Sequence, residues 1–196
     1  MLRSNLTRPS SGRWSLRRGI LWQLPQHFRL TTEVGTGQDK GRVVLVVGPD
    51  KGWQSTGGMV VELGKERLEE LREEAYVLWL ATLTPLRDDG FELTPLPEAR
   101  QNARSLAGVK VASKGHADAR LYFDKESGLL VKIERRAREA GQAVDKEYAF
   151  GNHKEFDGVK LPTRVVELHN GGRFVDLANV SYKFLRGVND SAFARP

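Results

Sequence analysis

Regular alternation of apolar and polar residues in the second half of the chain constrains the fold more than any other feature. The alternation is clearest in residues 121–134, where two short strands flank a turn of Asp, Ser and Gly residues. In the second strand, Leu129 and Ile133 share one phase of the alternation, and Leu130 has the opposite phase. Period-two alternation is typical of strands with one buried and one solvated face. The sequence therefore predicts a large antiparallel meander.

The meander is predicted to contain six strands joined by short turns. The Asn170-Gly171 pair is a strong hairpin signal among those turns. Pro95 and Pro97 are predicted to punctuate a linker before the meander, after a short strand at 91–93. Earlier strands are predicted at 28–34, at 42–47 and from residue 52 onward. The six meander strands are placed near 106–113, 118–124, 128–136, 143–150, 160–169 and 173–186.

Residues 64–83 change to helical spacing, and Pro85 is expected to end the helix. Five glutamates between residues 66 and 74 alternate with lysine and arginine, so they are predicted to form a solvated helix face rather than a paired-carboxylate site. The apolar stripe of this helix needs a partner, and the concave face of the sheet is the expected one. That stripe comprises Leu68, Leu71, Ala75, Leu78, Trp79 and Thr82.

These elements predict an α+β fold, mostly antiparallel β, in which a strongly curved meander sheet (a half-barrel) has a helix packed on its concave face. A chain of 196 residues fits one domain with a sizeable core. We expect residues 1–18 to form a disordered basic arm and residues 19–196 to form a single domain, with its helix at about 64–83.

The net charge of +6 comes from the start of the chain, because no acidic residue precedes Glu33. Six arginines lie before Glu33, and the other 25 basic residues balance the 25 acidic ones. A nucleic-acid-binding domain more often has a basic stripe across the fold itself. Nucleic acid is therefore not the expected partner, although binding of anionic polymers or membranes through the arm is one alternative function.

Several kinds of catalytic and metal site are not supported by the sequence. The absence of cysteine excludes disulfides, thiolate metal sites and thiol nucleophiles. The four histidines are too scattered for two of them to bind a metal from one element, and His153 shows no partner that would make it a general base. Ser55 lies in a poor match to the Gly-x-Ser-x-Gly motif, with no helix after it. We therefore expect no catalytic residue, metal or cofactor, and not an enzyme.

Aromatic and aliphatic residues on the predicted strands and helix are the candidate ligand-binding residues. They are expected to face the inside of the sheet, where they either form an ordinary core or line an apolar cavity between helix and sheet. The long meander has only one helix to cover it, which favours the cavity. The candidates are Trp53, Trp79, Leu121, Phe123, Leu129, Val131, Ile133, Tyr148 and Phe150.

The hairpin at 121–134 resembles that of bacterial periplasmic lipoprotein-carrier-like proteins, the LolA/LolB-like half-barrels. The strand at 147–150 followed by the Gly-x-Lys-x-Pro segment at 158–162 is similar to the same family, as is Gly52-Trp53 after an apolar strand. The resemblance covers about residues 28–186. It implies a curved sheet around helices with a cavity for acyl chains, and non-covalent transfer of lipid or lipoprotein. The implied partners are a lipid or lipoprotein acyl chain and a membrane-associated protein.

The start of the sequence departs from this family. The family carries an export signal, and a helix and about two strands before the segment at Phe28, where this sequence has an arginine-rich arm. No apolar run of signal-peptide length follows Arg17-Arg18. We expect an N-terminally truncated sequence of a periplasmic or exported protein, or a cytoplasmic protein if the start is correct. An interaction module with a fully packed core is the other alternative function.

Overall fold

The computed structural model describes residues 15–36, 39–101 and 103–196, and contains twelve strands and one α-helix in this part of the chain. All paired strands are antiparallel and adjacent in the chain, so the predicted meander and mostly antiparallel α+β class are confirmed. The strands are β1 Ser15–Gln23, β2 His27–Thr36, β3 Asp39–Val47, β4 Gly52–Thr56, β5 Met59–Glu62, β6 Phe91–Gln101, β7 Arg104–Ser113, β8 Ala119–Asp124, β9 Leu130–Glu139, β10 Gln142–Phe156, β11 Val159–His169 and β12 Gly172–Leu177.

The strands form two sheets that are not closed into a barrel. Strands β1 to β5 form a five-stranded sheet, which we call the first sheet, and β6 to β12 form a seven-stranded second sheet. Helix α1, Lys65–Ala81, links them in the chain. The Asp157-Gly158 and Asn170-Gly171 turns have positive φ at both residues, as two-residue hairpin turns with the right-handed twist of the strands require.

Helix α1 lies between the two sheets and contributes to two apolar clusters. Leu68, Leu71 and Ala75, in its first half, pack in the helix-start cluster with residues of β1 to β3 and β12. Tyr76, Val77 and Leu80, in its second half, pack in the helix-end cluster against β7 to β10. The predicted helix and its position on the inner face of the sheet are confirmed. The described residues also contain two 3-10 turns, one just after the helix at Thr84–Arg87 and one near the end of the chain at Asp190–Phe193.

The first strand was missed by the sequence analysis. Residues 15–18 belong to β1, which pairs with β2 along its whole length, so the predicted arm is wrong for these four residues. Arg18 lies 3.9 Å from the Glu167 carboxylate of β11, which gives this arginine a partner inside the fold. Residues 1–14, the rest of the predicted arm, lie outside the described residues.

Two further boundaries differ from the prediction. Pro95 and Pro97 lie within β6 rather than in a linker, because β6 is an edge strand whose register shifts between Leu96 and Ala99. An edge strand tolerates proline, since its outer N–H groups need no ladder partner. The last strand ends at Leu177 instead of continuing to 186. There the chain turns so that Val180 packs into the helix-start cluster while its N–H donates to the Thr163 carbonyl.

Candidate functional site

Six of the nine candidate residues meet in the helix-end cluster. Leu121 and Ile133 are fully buried, and Tyr148 is almost so. Three half-buried aromatic residues pack against them: Trp79 from α1, Phe123 from β8 and Phe150 from β10. Strand pairing brings the buried three together, because Leu121 lies opposite Ile133, which in turn lies opposite Tyr148. The structure thus brings these six residues together in one cluster, and ligand binding by them stays a prediction.

Leu129 and Val131 are not part of this cluster, and Leu130 takes the inner position instead. The register between β8 and β9 shifts after Tyr122, so that Phe123 pairs with Leu130. A bulge places one extra residue in one strand and reverses the phase of the residues beyond it. Leu130 is therefore buried, and Leu129 and Val131 are half-buried outside the cluster. The predicted facing of these three residues is wrong.

Trp53 lies on the face of the first sheet that points away from the helix. It pairs with Val46 and packs with Val44, Val46 and Phe193, the last of which belongs to the C-terminal 3-10 turn. The neighbouring pair, Val47 and Gly52, has the opposite phase, and Val47 belongs to the helix-start cluster. The prediction that Trp53 lines the inner face is therefore wrong, because the chain end covers its face of the sheet.

Half-buried aromatic rings border the helix-end cluster where helix α1 ends. The ring of Trp79 meets Phe91 of β6 edge to face at 5.8 Å between centroids. Leu83, just after the helix, has φ of 61°, a left-handed conformation that branched or bulky residues seldom adopt. Leu83 and Leu86 also pack on the cluster from this connection. The cluster thus has a fully buried floor on the sheet and a partly exposed aromatic border on the side of the helix end.

A group of charged residues lies on the inner face between the two apolar clusters. The Glu74 carboxylate of α1 is 2.5 Å from the Arg135 guanidinium of β9 and 2.5 Å from the Lys146 ammonium of β10. The Tyr148 hydroxyl donates to the same carboxylate at 2.7 Å. The side chains of Arg135 and Lys146 are only 2% and 3% exposed, whereas that of Glu74 is 27% exposed. We call these four residues the Glu74 site.

Further ion pairs join the Glu74 site to β11. Lys146 also lies 2.5 Å from a Glu139 oxygen and 3.7 Å from a Glu167 oxygen. His169 lies 2.8 Å from Glu167 through Nε2 and 3.4 Å from Glu139 through Nδ1. With Arg18, three cations and three carboxylates form this network before any charge on His169 is counted. Its charges therefore cancel, as buried ionised groups require.

The network alters the proton affinities of its members. Burial alone would raise the pKa of Glu74, but the charges of Arg135 and Lys146 outweigh it and hold this pKa below its ordinary value. Burial would lower the pKa of Arg135, but the Glu74 charge raises it above its ordinary value. Burial and the neighbouring Glu74 charge raise the pKa of Tyr148 well above its ordinary value. At neutral pH Glu74, Arg135 and Lys146 are therefore ionised, and Tyr148 keeps the proton that it donates.

Two of the five helix glutamates, Glu66 and Glu69, are exposed as the sequence predicted, whereas the other three have partners in the fold. Glu70 accepts from the Ala140 N–H, Glu73 contacts His116, and Glu74 holds the two buried cations. Sequence reasoning missed the Glu74 site because charged residues were assigned to the outside. The sequence did contain a signal for a charge on the inner face, since Arg135 lies two residues after Ile133 and therefore on the same face of the strand.

Other polar features of the described residues do not converge on a site. No group of three or more His, Asp or Glu side chains is arranged there to hold a metal ion. His153 is 3.1 Å from the Leu130 carbonyl, and burial lowers its pKa, so it is a neutral donor to the backbone. An open cavity of about 530 Å³ on the second sheet is lined mainly by charged residues, among them Lys110, Arg120 and Glu147.

Comparison with solved structures finds proteins that share this architecture. A domain from Vibrio parahaemolyticus, described by its sequence as an outer membrane lipoprotein-sorting protein domain, superposes on this chain with a TM-score of 0.57 at 15% identity, over 98% of this chain and 85% of that one. A LolA superfamily protein from Nitrosomonas europaea gives a TM-score of 0.60 at 12% identity, over 99% and 87% of the two chains. The chain has a LolA-like fold.

Further comparisons add to this result. A DUF1329 family protein from Desulfovibrio piger superposes on this chain with a TM-score of 0.54 at 12% identity, over 98% of this chain and 86% of that one. No protein-family model matches the sequence, and no curated protein matches it. The resemblance read from the hairpin at 121–134 is therefore confirmed at the level of the fold. Within the described residues, no helix has both the length and the apolar character needed to span a bilayer.

Proposed function

We propose that this protein binds the acyl chain of a lipid or lipoprotein without covalent chemistry, in the helix-end cluster. The observation that carries the proposal is the arrangement of that cluster on a LolA-like fold. Its floor is fully apolar and buried at Leu121 and Ile133, and its border consists of half-buried aromatic rings such as Trp79 and Phe150. Rotation of the border rings would admit a flexible chain without unfolding either sheet.

The energetics of such binding are favourable. Burial of a methylene group contributes about 0.8 kcal/mol, so a chain of about sixteen carbons could contribute on the order of 12 kcal/mol before ordering costs. Apolar burial has no directional requirement, so a carrier of this type could accept chains of differing structure. The proposal includes transport as the role, and a periplasmic location and a membrane-associated protein partner by analogy with the lipoprotein-sorting neighbour.

Native mass spectrometry of the purified protein, before and after organic extraction, tests the proposal. We expect an adduct of lipid mass that extraction removes and that added palmitate or phospholipid restores. Phe150→Ser should weaken uptake, since it places a hydroxyl among the border rings of the helix-end cluster. Phe174→Ser is the matched control, because Phe174 is 57% exposed on β12 and lies outside that cluster.

One result would overturn the proposal. A mass free of adduct, together with no uptake of palmitate or phospholipid by the folded protein, would mean that the inner face is only a packed core. That outcome would favour a protein-interaction module, for which the two buried clusters on either half of α1 already provide a stable scaffold.

A further inference from the structure

We infer that the Glu74 site is a receptor for the anionic headgroup of the ligand, and that the Glu74 carboxylate takes the place of that headgroup in the ligand-free protein. The ligand class is an amphiphile that carries a carboxylate or a phosphate at one end of its apolar chain. This inference rests on the proposed function, because the tail of such a ligand would lie in the helix-end cluster.

The donors of the site all belong to the second sheet, whereas the acceptor comes from the helix. Arg135 on β9 and Lys146 and Tyr148 on β10 converge on one carboxylate, with three contacts between 2.5 and 2.7 Å. Two cations and a hydroxyl around one pair of oxygens form a charge-assisted arrangement that suits any carboxylate or phosphate. The donor half of the site therefore remains complete on the sheet if another anion replaces Glu74.

Arg135 has binding capacity that Glu74 does not use. Its Nε is buried and has no hydrogen-bond partner among the described residues, although its side chain is only 2% exposed. Its one carboxylate partner in that part of the chain is Glu74, whereas Lys146 is shared with Glu139 and Glu167. A phosphate has more acceptor oxygens than a carboxylate and could satisfy this additional donor.

The position of the site relative to the apolar cluster fits a ligand with a head and a tail. The ring of Tyr148 belongs to the helix-end cluster, and its hydroxyl belongs to the Glu74 site. Arg135 follows Ile133 by two residues and therefore lies on the same face of β9. Glu74 is the most exposed member of its site, so its displacement would expose the cations without moving either strand.

Binding of three sixteen-carbon amphiphiles tests the inference: palmitate, hexadecyl phosphate and hexadecanol. Each is titrated against the neutral fluorophore N-phenyl-1-naphthylamine bound to the full chain. Glu74→Gln removes the competing charge and keeps the side-chain shape, so palmitate or hexadecyl phosphate should bind about tenfold more tightly than to the unsubstituted protein. The affinity for hexadecanol should change by less than about twofold, because it offers no anion.

Two variants control for effects on stability and on net charge. Glu73→Gln changes the same charge one residue away, but Glu73 contacts His116 rather than the buried cations, so no anion-specific gain is expected. Adding Arg135→Gln to Glu74→Gln removes the unpaired cation and should abolish the gain. The thermal midpoint, measured with and without each amphiphile, provides an independent test. Palmitate and hexadecyl phosphate should raise the midpoint of Glu74→Gln more than that of the unsubstituted protein, and hexadecanol should not.

The outcomes separate the inference from the proposed function. Equal gains for hexadecanol and palmitate in Glu74→Gln would mean that the helix had only loosened, which overturns the headgroup site and leaves the acyl-chain proposal standing. Absence of binding by all three amphiphiles, to either protein, would overturn both. A gain for palmitate alone would identify a carboxylate headgroup, and a gain for hexadecyl phosphate alone a phosphate.

Discussion

Replacement of Glu74 by alanine is expected to lower the free energy of unfolding by about 3 kcal/mol. The change leaves the Arg135 guanidinium, 2% exposed, without its carboxylate, and breaking a buried pair in this way costs about 3–5 kcal/mol. Two features place the loss near the lower limit. Glu74 is itself 27% exposed, and Lys146 keeps a Glu139 oxygen at 2.5 Å. In a chain of this length the thermal midpoint should fall by about 6–12 °C.

A double-mutant cycle with Glu74→Ala and Arg135→Met isolates the pair from the rest of the network. Urea unfolding followed by tryptophan fluorescence gives the free energies, and we expect a coupling energy of about 2 kcal/mol between the two positions. Glu69→Ala is the matched control on the same helix. Its 59% exposed side chain lies 3.9 Å from Lys65, so its loss should cost less than about 0.5 kcal/mol. A loss below about 1 kcal/mol for Glu74→Ala would refute the claim that the buried Arg135 guanidinium depends on the Glu74 carboxylate.

Three further predictions follow from the packing and the charges. Leu130→Ala should cost about 2–4 kcal/mol in urea unfolding and Leu129→Ala less than about half of that, because only Leu130 lies in the buried cluster; equal costs would contradict the bulge. Gly52→Ala should cost about 1–3 kcal/mol, since its Cβ would lie within 2.9 Å of core atoms, whereas Gly64→Ala meets open space and should be tolerated in the same assay. Because the folded state lowers the pKa of Glu74, stability from this group should be complete above its ordinary pKa and decrease as the pH falls through the folded value. Glu74→Gln should show a shallower loss of stability in acid, and an unchanged slope in urea titrations at stepped pH would contradict the assignment.

The elements of the fold were predictable because their signals are local. Hairpin turns such as Asn170-Gly171 require particular backbone angles, and alternation in β8 to β11 distinguishes the two faces of the sheet. β1 was missed because Arg17 and Arg18 make its sequence resemble a basic arm. The partner that allows Arg18 to lie on the inner face, Glu167, is about 150 residues away in the chain. A local pattern contains no information about such a partner.

The candidate site was predictable only as far as strand phase could be followed. Phase placed Leu121, Ile133 and Tyr148 together, and it failed at Leu130, where a bulge depends on the pairing of two strands rather than on either one. The position of Trp53 depended on the C-terminal turn that covers it, which has no periodic signal of its own. The apolar part of the site could thus be predicted from the sequence, whereas the positions that depend on pairing with distant segments could not.

Helix α1 is held by two kinds of interaction with different consequences for its position. Its apolar residues pack in the two clusters through contacts that have no directional requirement. The Glu74 carboxylate, in contrast, must remain within hydrogen-bond distance of Arg135 and Tyr148, because a shift would leave the buried Arg135 guanidinium without its carboxylate. The Glu74 contacts therefore constrain the position of the helix along the sheet, while the two clusters account for most of the apolar surface that the helix buries. An anion that replaced Glu74 would remove this constraint on the helix and leave most of the buried apolar surface unchanged.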